Sequence, residues 1–298
     1  MTMEKKLNVD FAKTTAQFEN AIKKFQVKQL IYRTLFRGKG LEFDSYRRFS
    51  NGEDDANYID WKATLRANEL MMRKYIEERD LNFYFIVNVS NGMLFGSNNK
   101  LKAEYAAEII IALSHLIITS GDSIGLIMFN DHFVKVLKPS KSKNQFFLFT
   151  KFLADPNLYG GKIDFRKVVD QILKEISSPY SILLLVSDFI HLNKGFEREL
   201  KLLGAKYETI AVMIRDPLDE NLPNTKNQIV VNDPYSGEQL IVDPAIASEL
   251  YRQNSLRQKN IVKELFKKSK IDLVELNSSS NFVVPLVSFL KSRVGRKE

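Results

Sequence analysis

Catalysis needs side chains that converge on one atom, so the acids, hydroxyls and imidazoles of the chain are weighed first. Acids crowd at Glu53-Asp54-Asp55 and at Glu77-Glu78. Neighbours in a loop point apart, and Glu77 and Glu78 would sit about 100° apart on a helix, so neither group makes a general acid/base pair. Ser90 has no histidine at a spacing that suits a nucleophile elbow. The 3 histidines, His115, His132 and His191, are too scattered for a zinc site. With 0 cysteines, thiol nucleophiles, thiolate metal ligands and disulfides are all removed, which suits a reducing compartment. Gly38-x-Gly40 lacks the third glycine of a dinucleotide fingerprint and follows a helical pattern rather than a strand. No phosphate-binding Gly-Lys-Ser/Thr loop occurs either. The expectation is a protein without catalytic residues.

The elements that would position a site are legible from periodicity. Residues 10–36 carry apolar side chains at near-helical spacing (Phe11, Phe18, Ile22, Phe25, Leu30, Leu35), which predicts one or two amphipathic helices. Residues 37–80 are polar, with turn formers at Ser50-Asn51-Gly52, and Leu70–Asp80 reads as helical or extended. Then short, nearly continuous apolar runs alternate with amphipathic stretches. Asn82–Ser90, Ser123–Phe129, Ser181–Ser187, Tyr207–Ile214 and Ile271–Leu276 read as strands buried on both faces. Leu101–Ser120, Phe146–Leu153, Phe165–Ser177, Phe196–Leu203, Ala245–Ser269 and Phe282–Val294 read as helices. His132–Leu137 is expected to form a hairpin with the strand before it, and Gln228–Val242 a second hairpin around Pro-Tyr-Ser-Gly. Alternation of this kind predicts an α/β fold with a doubly wound, mostly parallel sheet. Its ligand surface should lie at the C-terminal ends of the strands, near Asn88–Gly92, Asp188 and Arg215-Asp216.

Composition bounds the rest. The chain has 298 residues, 44% hydrophobic and 27% charged, which is ordinary globular composition and enough for a large core. The apolar runs around Phe83–Val87, Ile109–Leu113 and Ile182–Val186 fall far short of the roughly 20 residues that a membrane span needs. The N-terminus, MTMEKKLNVDFAK, has no apolar core of a secretory signal, so a cytoplasmic location is expected. Net charge is +8, but residues 1–50 hold eleven Lys/Arg against five acids and residues 251–298 hold eleven against four. The two ends are basic and the middle is net acidic. An alternative function follows, a nucleic-acid or anionic-surface binder working through basic terminal helices. Lysine predominates and no aromatic interleaving marks a base-stacking platform, which argues against nucleic acid.

One segment is more specific. Gly38-Lys-Gly40-Leu-Glu42-Phe, Arg47, Gly52-Glu-Asp54-Asp55, Ile59-Asp60-Trp61 and Arg66 follow one another in an order that resembles domain-of-unknown-function family 58. So do Asn88-Val-Ser90-Asn-Gly92, Gly121-Asp122, Ser187-Asp188-Phe189 and Arg215-Asp216-Pro217. The resemblance covers about residues 30–290. It implies a von Willebrand factor A-like, Rossmann-like core over residues 81–298, with a hairpin insertion near 228–242. Residues 1–80 would be a helical and irregular extension packed on it. It also implies a partner, a MoxR-type AAA+ ATPase with its clients, and roles in complex assembly or stress tolerance.

Von Willebrand A domains carry a metal-ion-dependent adhesion site, whose usual pattern is Asp-x-Ser-x-Ser, a Thr from a second loop and a later Asp. By the resemblance, Asn88 stands at the first Asp, Ser90 matches, and Gly92 replaces the second Ser. The loop Gly160-Gly161-Lys162-Ile163-Asp164 offers Lys162 or Ile163 in place of Thr, and Asp188 is the remaining carboxylate. Magnesium resists dehydration, and so few oxygen donors would not offset its cost. No metal cofactor is expected, or magnesium bound only weakly. Asn88, Ser90, Gly92, Ile163 and Asp188 become a degenerate, partner-binding face. In the signature segment, Asp54, Asp55 and Asp60 with Arg47 and Arg66 are expected to form an ion-pair network around Trp61, or else a docking surface.

Overall fold

The computed structural model describes residues 7–23, 42–50, 59–76, 81–98, 100–178 and 181–295. The chain forms two compact units, residues 36–80 and, around them in sequence, residues 1–35 with 81–298. The expected extension over residues 1–80 is therefore divided, because helix α1 (Phe11–Lys23) belongs with the sheet.

The smaller unit holds strand β1 (Glu42–Arg48), helix α2 (Trp61–Ala67) and strand β2 (Met71–Ile76), with β1 antiparallel to β2. The carboxylate of Asp60 caps α2, accepting from the amides of Lys62 at 3.0 Å and Ala63 at 3.1 Å. These are two of the donors that a helix start leaves orphaned, and such a cap contributes about 1 kcal/mol. Asn68 ends the helix in the left-handed region at φ 58, after which the chain turns into β2. Met71–Ile76, ambiguous in sequence, is thus extended.

The larger unit runs β3 (Asn82–Asn88), α3 (Lys102–Thr119), β4 (Ser123–Phe129), β5 (Phe133–Ser140), α4 (Lys143–Leu153), α5 (Phe165–Glu175), β6 (Ser181–Ser187), α6 (Glu197–Lys206), β7 (Glu208–Arg215) and α7 (Pro217–Glu220). Then follow β8 (Ile229–Asn232), β9 (Gln239–Val242), α8 (Pro244–Lys268), β10 (Asp272–Asn277) and α9 (Val283–Gly295). Six strands form one sheet in the order β10-β7-β6-β3-β4-β5, parallel except for β5. The hairpin β8–β9 is a separate two-stranded sheet.

The strand sequences explain this arrangement. Phe83, Phe85, Ile86 and Val87 are all essentially inaccessible, as a central strand covered by helices on both sides requires. Each such side chain contributes about 1.5–3 kcal/mol by leaving water. On one face α3 lies almost wholly buried, flanked by α1, α4 and α9. Phe18 of α1 meets Phe282 at 6.1 Å, and Tyr105 of α3 meets the same ring at 5.7 Å. On the other face α5, α6 and α8 close over Tyr84, Ile86, Leu183, Leu185, Ala211 and Met213. Helix α3 stops at Gly121, whose φ of +94 suits a residue without Cβ, while the Asp122 amide bonds back to the Ile117 carbonyl.

The crossovers leave β3 and β6 in opposite directions, one towards β4 and the other towards β7. A crevice therefore opens between their C-terminal ends, where the order of an open sheet reverses.

Candidate functional site

Asn88 closes β3 at the bottom of that crevice. It is fully buried, and its side-chain amide donates to Ser187 Oγ at 3.0 Å while its Oδ1 accepts from the Ser90 amide at 2.9 Å. The carboxamide therefore ties two strand ends and the next loop together. Asn91 then locks the loop 160–161. Its amide donates to the Gly161 carbonyl and its Oδ1 accepts from the Gly161 amide, both at 3.0 Å. Gly160 and Gly161 sit at φ +128 and +84, a conformation that side-chain-bearing residues rarely adopt.

The first helical residue of α3, Lys102, points its ammonium into the crevice. Nζ lies 3.0 Å from Asp188 Oδ2 and 3.0 Å from Asp219 Oδ2. The side chains of Lys102 and Asp188 are each 1% exposed, and that of Asp219 is 10% exposed. Asp188 follows β6, and Asp219 belongs to α7, a single turn set by its N-cap Asp216. The Asp219 carboxylate also accepts from the Asp216 amide at 2.8 Å. Asp216 in turn accepts from the Ser97 amide at 2.9 Å and from Ser278 Oγ at 3.1 Å, so loops from three strand ends meet around it.

Burial alone would push the Lys102 ammonium down, but Asp188 and Asp219 outweigh it and hold Lys102 above the usual lysine range. Burial alone would push the Asp188 carboxyl up. The charge and hydrogen bond of Lys102, with Arg215 and His191 beyond, hold it below the usual carboxylate range. Arg215 is pulled down by burial against the opposing pull of Asp188 and Asp219, and it donates to Gln258 Oε1 at 2.6 Å.

The hairpin β8–β9 supplies the remaining group. At its tip, Tyr235 places Oη 3.0 Å from Ser90 Oγ and accepts from the Gly92 amide at 3.1 Å. Its ring packs edge-on against His191, with centroids 4.8 Å apart. Asn91 Nδ2 donates to the Pro234 carbonyl at 2.8 Å. A Cβ at Gly92 would lie 2.5 Å from Tyr235 Oη and 3.2 Å from Asp188 Oδ2, so glycine is what admits the tyrosine. Burial, foremost, pushes the Tyr235 phenol up; the Ser90 hydrogen bond pulls the other way and the Asp188 charge adds to the rise.

This donor set does not fit a hard divalent cation, which wants about six oxygens in a shell. The Asp188 carboxylate faces an ammonium, the Asn88 carboxamide is committed to protein partners, and Ser90 faces a phenol. Among the described residues, no three His, Asp or Glu side chains converge to hold a metal.

Asn88, Ser90, Gly92 and Asp188 thus come together as the sequence suggested, but Ile163 does not join them. Its side chain packs against the hydrophobic cluster beneath the sheet, Lys162 is exposed, and Asp164 caps α5. The loop contributes backbone from Gly160 and Gly161 instead. In the signature segment, Gly38, Gly40, Asp54 and Asp55 lie outside the described residues. Glu42 opens β1 opposite Ile76, Arg47 is exposed opposite Met72, and Arg66 sits in the last turn of α2. Trp61 is 65% exposed on the first turn of α2. The Asp60 carboxylate beside it accepts from the amides of α2, and the expected ion-pair network, with Asp54 and Asp55 among its members, lies partly outside the described residues.

Sequence reasoning missed Lys102, Asp219 and Tyr235. A lysine heading a largely apolar helix and an aromatic at a hairpin tip were the available signals, and Asp216-x-x-Asp219 has the spacing of a capping box.

This sheet order, with its crevice between β3 and β6 and the edge strand β5 reversed, is the doubly wound, von Willebrand factor A-like α/β architecture that the sequence resemblance implied. The chain belongs to the family described as Protein of unknown function DUF58, whose family model matches residues 45–260. It is 23% identical over 262 residues to Uncharacterized protein Rv1480 of Mycobacterium tuberculosis, covering 87% of this chain and 81% of that one. The same figures hold for Uncharacterized protein Mb1516 of Mycobacterium bovis. Among solved structures it is similar to the conserved hypothetical protein BatB from Bacteroides thetaiotaomicron, with TM-score 0.48 and 13% identity over 73% of this chain and 100% of that one. Likeness to the SpRpn10 VWA domain is lower, with TM-score 0.39 and 14% identity over 70% and 93% of the two chains. No helix among the described residues is long and apolar enough to cross a membrane.

Proposed function

We propose that this chain is a non-catalytic protein-binding module of the cytoplasm, an adaptor or co-chaperone for a MoxR-type AAA+ ATPase in complex assembly or stress tolerance. Its strand-tip face is a degenerate metal-ion-dependent adhesion site. The observation that carries this reading is the Lys102 ammonium lying between Asp188 and Asp219, where a cation of the chain's own balances the acids. A second contact disfavours catalysis. The Ser90 hydroxyl faces a neutral phenol held above its usual range, which is no base to activate a nucleophile. The alternative, a nucleic-acid or anionic-surface binder through the basic terminal helices, is less favoured on α8, where Lys259 and Lys263 pair with Glu220 and Glu275.

The test is co-purification with a MoxR-type ATPase of the same genome, with ATP, with ADP and without nucleotide. A complex in at least one state supports the adaptor role, and its absence in all three refutes it.

A further inference from the structure

The hairpin β8–β9 is anchored mainly through its tip. Val230, Leu240 and Ile241 along its strands are 61%, 66% and 69% exposed, and a lone two-stranded ribbon has marginal stability in water. What holds the tip is the Tyr235 hydroxyl on Ser90 and the Gly92 amide, the His191 ring, and Asn91 on the Pro234 carbonyl. The tip itself is preformed for this. Asp233 accepts from the Tyr235 amide at 2.8 Å and from Ser236 Oγ at 3.0 Å, and Gly237 turns the chain at φ +76.

We infer that the hairpin is a latch, with Tyr235 as a built-in ligand of the Ser90–Gly92 loop that must leave before a partner can occupy this face. The chemistry also says what the opened face selects. Lys102 is already balanced by Asp188 and Asp219, so the vacated position offers a neutral hydroxyl and a backbone N–H with a carboxylate close by. A neutral hydroxyl-bearing side chain, such as a tyrosine on a turn, fits those groups. An acidic side chain would meet the Asp188 charge at close range, while the Lys102 ammonium beside it already faces two carboxylates and Arg215 is held on Gln258. Only the identity of this face as the partner-binding face rests on the adaptor reading, whereas the latch itself can be tested with no partner present.

Gly92→Ala is the decisive variant. The Gly92 backbone is not in the left-handed region, and the new Cβ would collide first with Tyr235 Oη, the far end of a side chain that can swing away. Amide hydrogen exchange on the full chain reads the result, with Tyr235→Ala as a second route to the same state and Tyr235→Phe as the variant that keeps the ring. In Gly92→Ala and Tyr235→Ala, exchange across residues 230–241 should rise roughly tenfold or more, while β3 and β6 stay protected. Tyr235→Phe should fall between these and the native chain. Hairpin exchange unchanged in both Gly92→Ala and Tyr235→Ala overturns the latch. A cyclised peptide of residues 232–238, added to Tyr235→Ala, then reports selectivity by chemical shifts at Ser90 and Gly92. The tyrosine peptide should shift them more than a version with Asp at position 235, and the reverse order overturns the preference for a neutral ligand.

Discussion

Replacing Lys102 by methionine removes the ammonium and keeps a side chain of similar length. Asp188 and Asp219 then face each other across the gap. Two oxygens each 3.0 Å from the same nitrogen cannot be farther apart than twice that distance, and Asp188 is 1% exposed. Breaking a buried ion pair from one side costs about 3–5 kcal/mol, because the stranded charge stays desolvated. The pH dependence has a definite sign. In the native chain Asp188 lies below the usual carboxylate range, so its contribution is present above that range and is lost as pH falls through its depressed value. Lys102 lies above the usual lysine range, so its contribution is present below that range and is lost only in strong alkali. Without the lysine, burial and the neighbouring Asp219 raise the Asp188 carboxyl, and the deficit relative to the native chain shrinks as acid neutralises it. Urea unfolding should give a deficit of about 3–5 kcal/mol near pH 8 and a clearly smaller one near pH 5. A loss below about 1 kcal/mol at both pH values would refute the account of Lys102 as the site's internal cation. Magnesium adds a second readout, since millimolar magnesium should raise the midpoint of Lys102→Met and leave the native chain unmoved.

Two further outcomes test the packing that supports the site. Arg293 of α9 is buried against Glu208 and Asp272 at the ends of β7 and β10, so Arg293→Met should cost about 3–5 kcal/mol by denaturant unfolding. A Cβ at Gly204 in α6 would lie 2.0 Å from the Ser269 carbonyl oxygen, a backbone atom that cannot swing aside. Gly204→Ala should therefore lower stability by about 1–3 kcal/mol or more despite alanine's better helix propensity, and a neutral result would show that α6 and α8 separate easily.

The strands were legible because a sheet covered on both faces demands continuous apolar runs, and Asn82–Ser90 and Ser181–Ser187 carry them without interruption. The hairpins were legible from turn chemistry at Asn130-Asp131 and at Pro-Tyr-Ser-Gly. The site was legible only in part. Strand-tip geometry placed Asn88, Ser90, Gly92 and Asp188 together, because the residues that end adjacent parallel strands must be neighbours. Lys102 was hidden because a lysine at a helix start is ordinarily solvated, and only the packing around α3 shows that it is not. Ile163 was misplaced because counting along a loop says nothing about which way its side chain turns, and an isoleucine next to a hydrophobic cluster turns inward.

The partner of the Ser90 hydroxyl comes from far along the chain, Tyr235 lying 145 residues on. On a ribosome, β3 emerges long before the hairpin that will cap it. A nascent chain that has reached β7 can already pair four of its parallel strands, yet Ser90 and the Gly92 amide stay bare until the tip arrives. Closure of this crevice thus waits on a segment that follows β7 in the chain, and the bare face exists once during synthesis before the latch first closes over it.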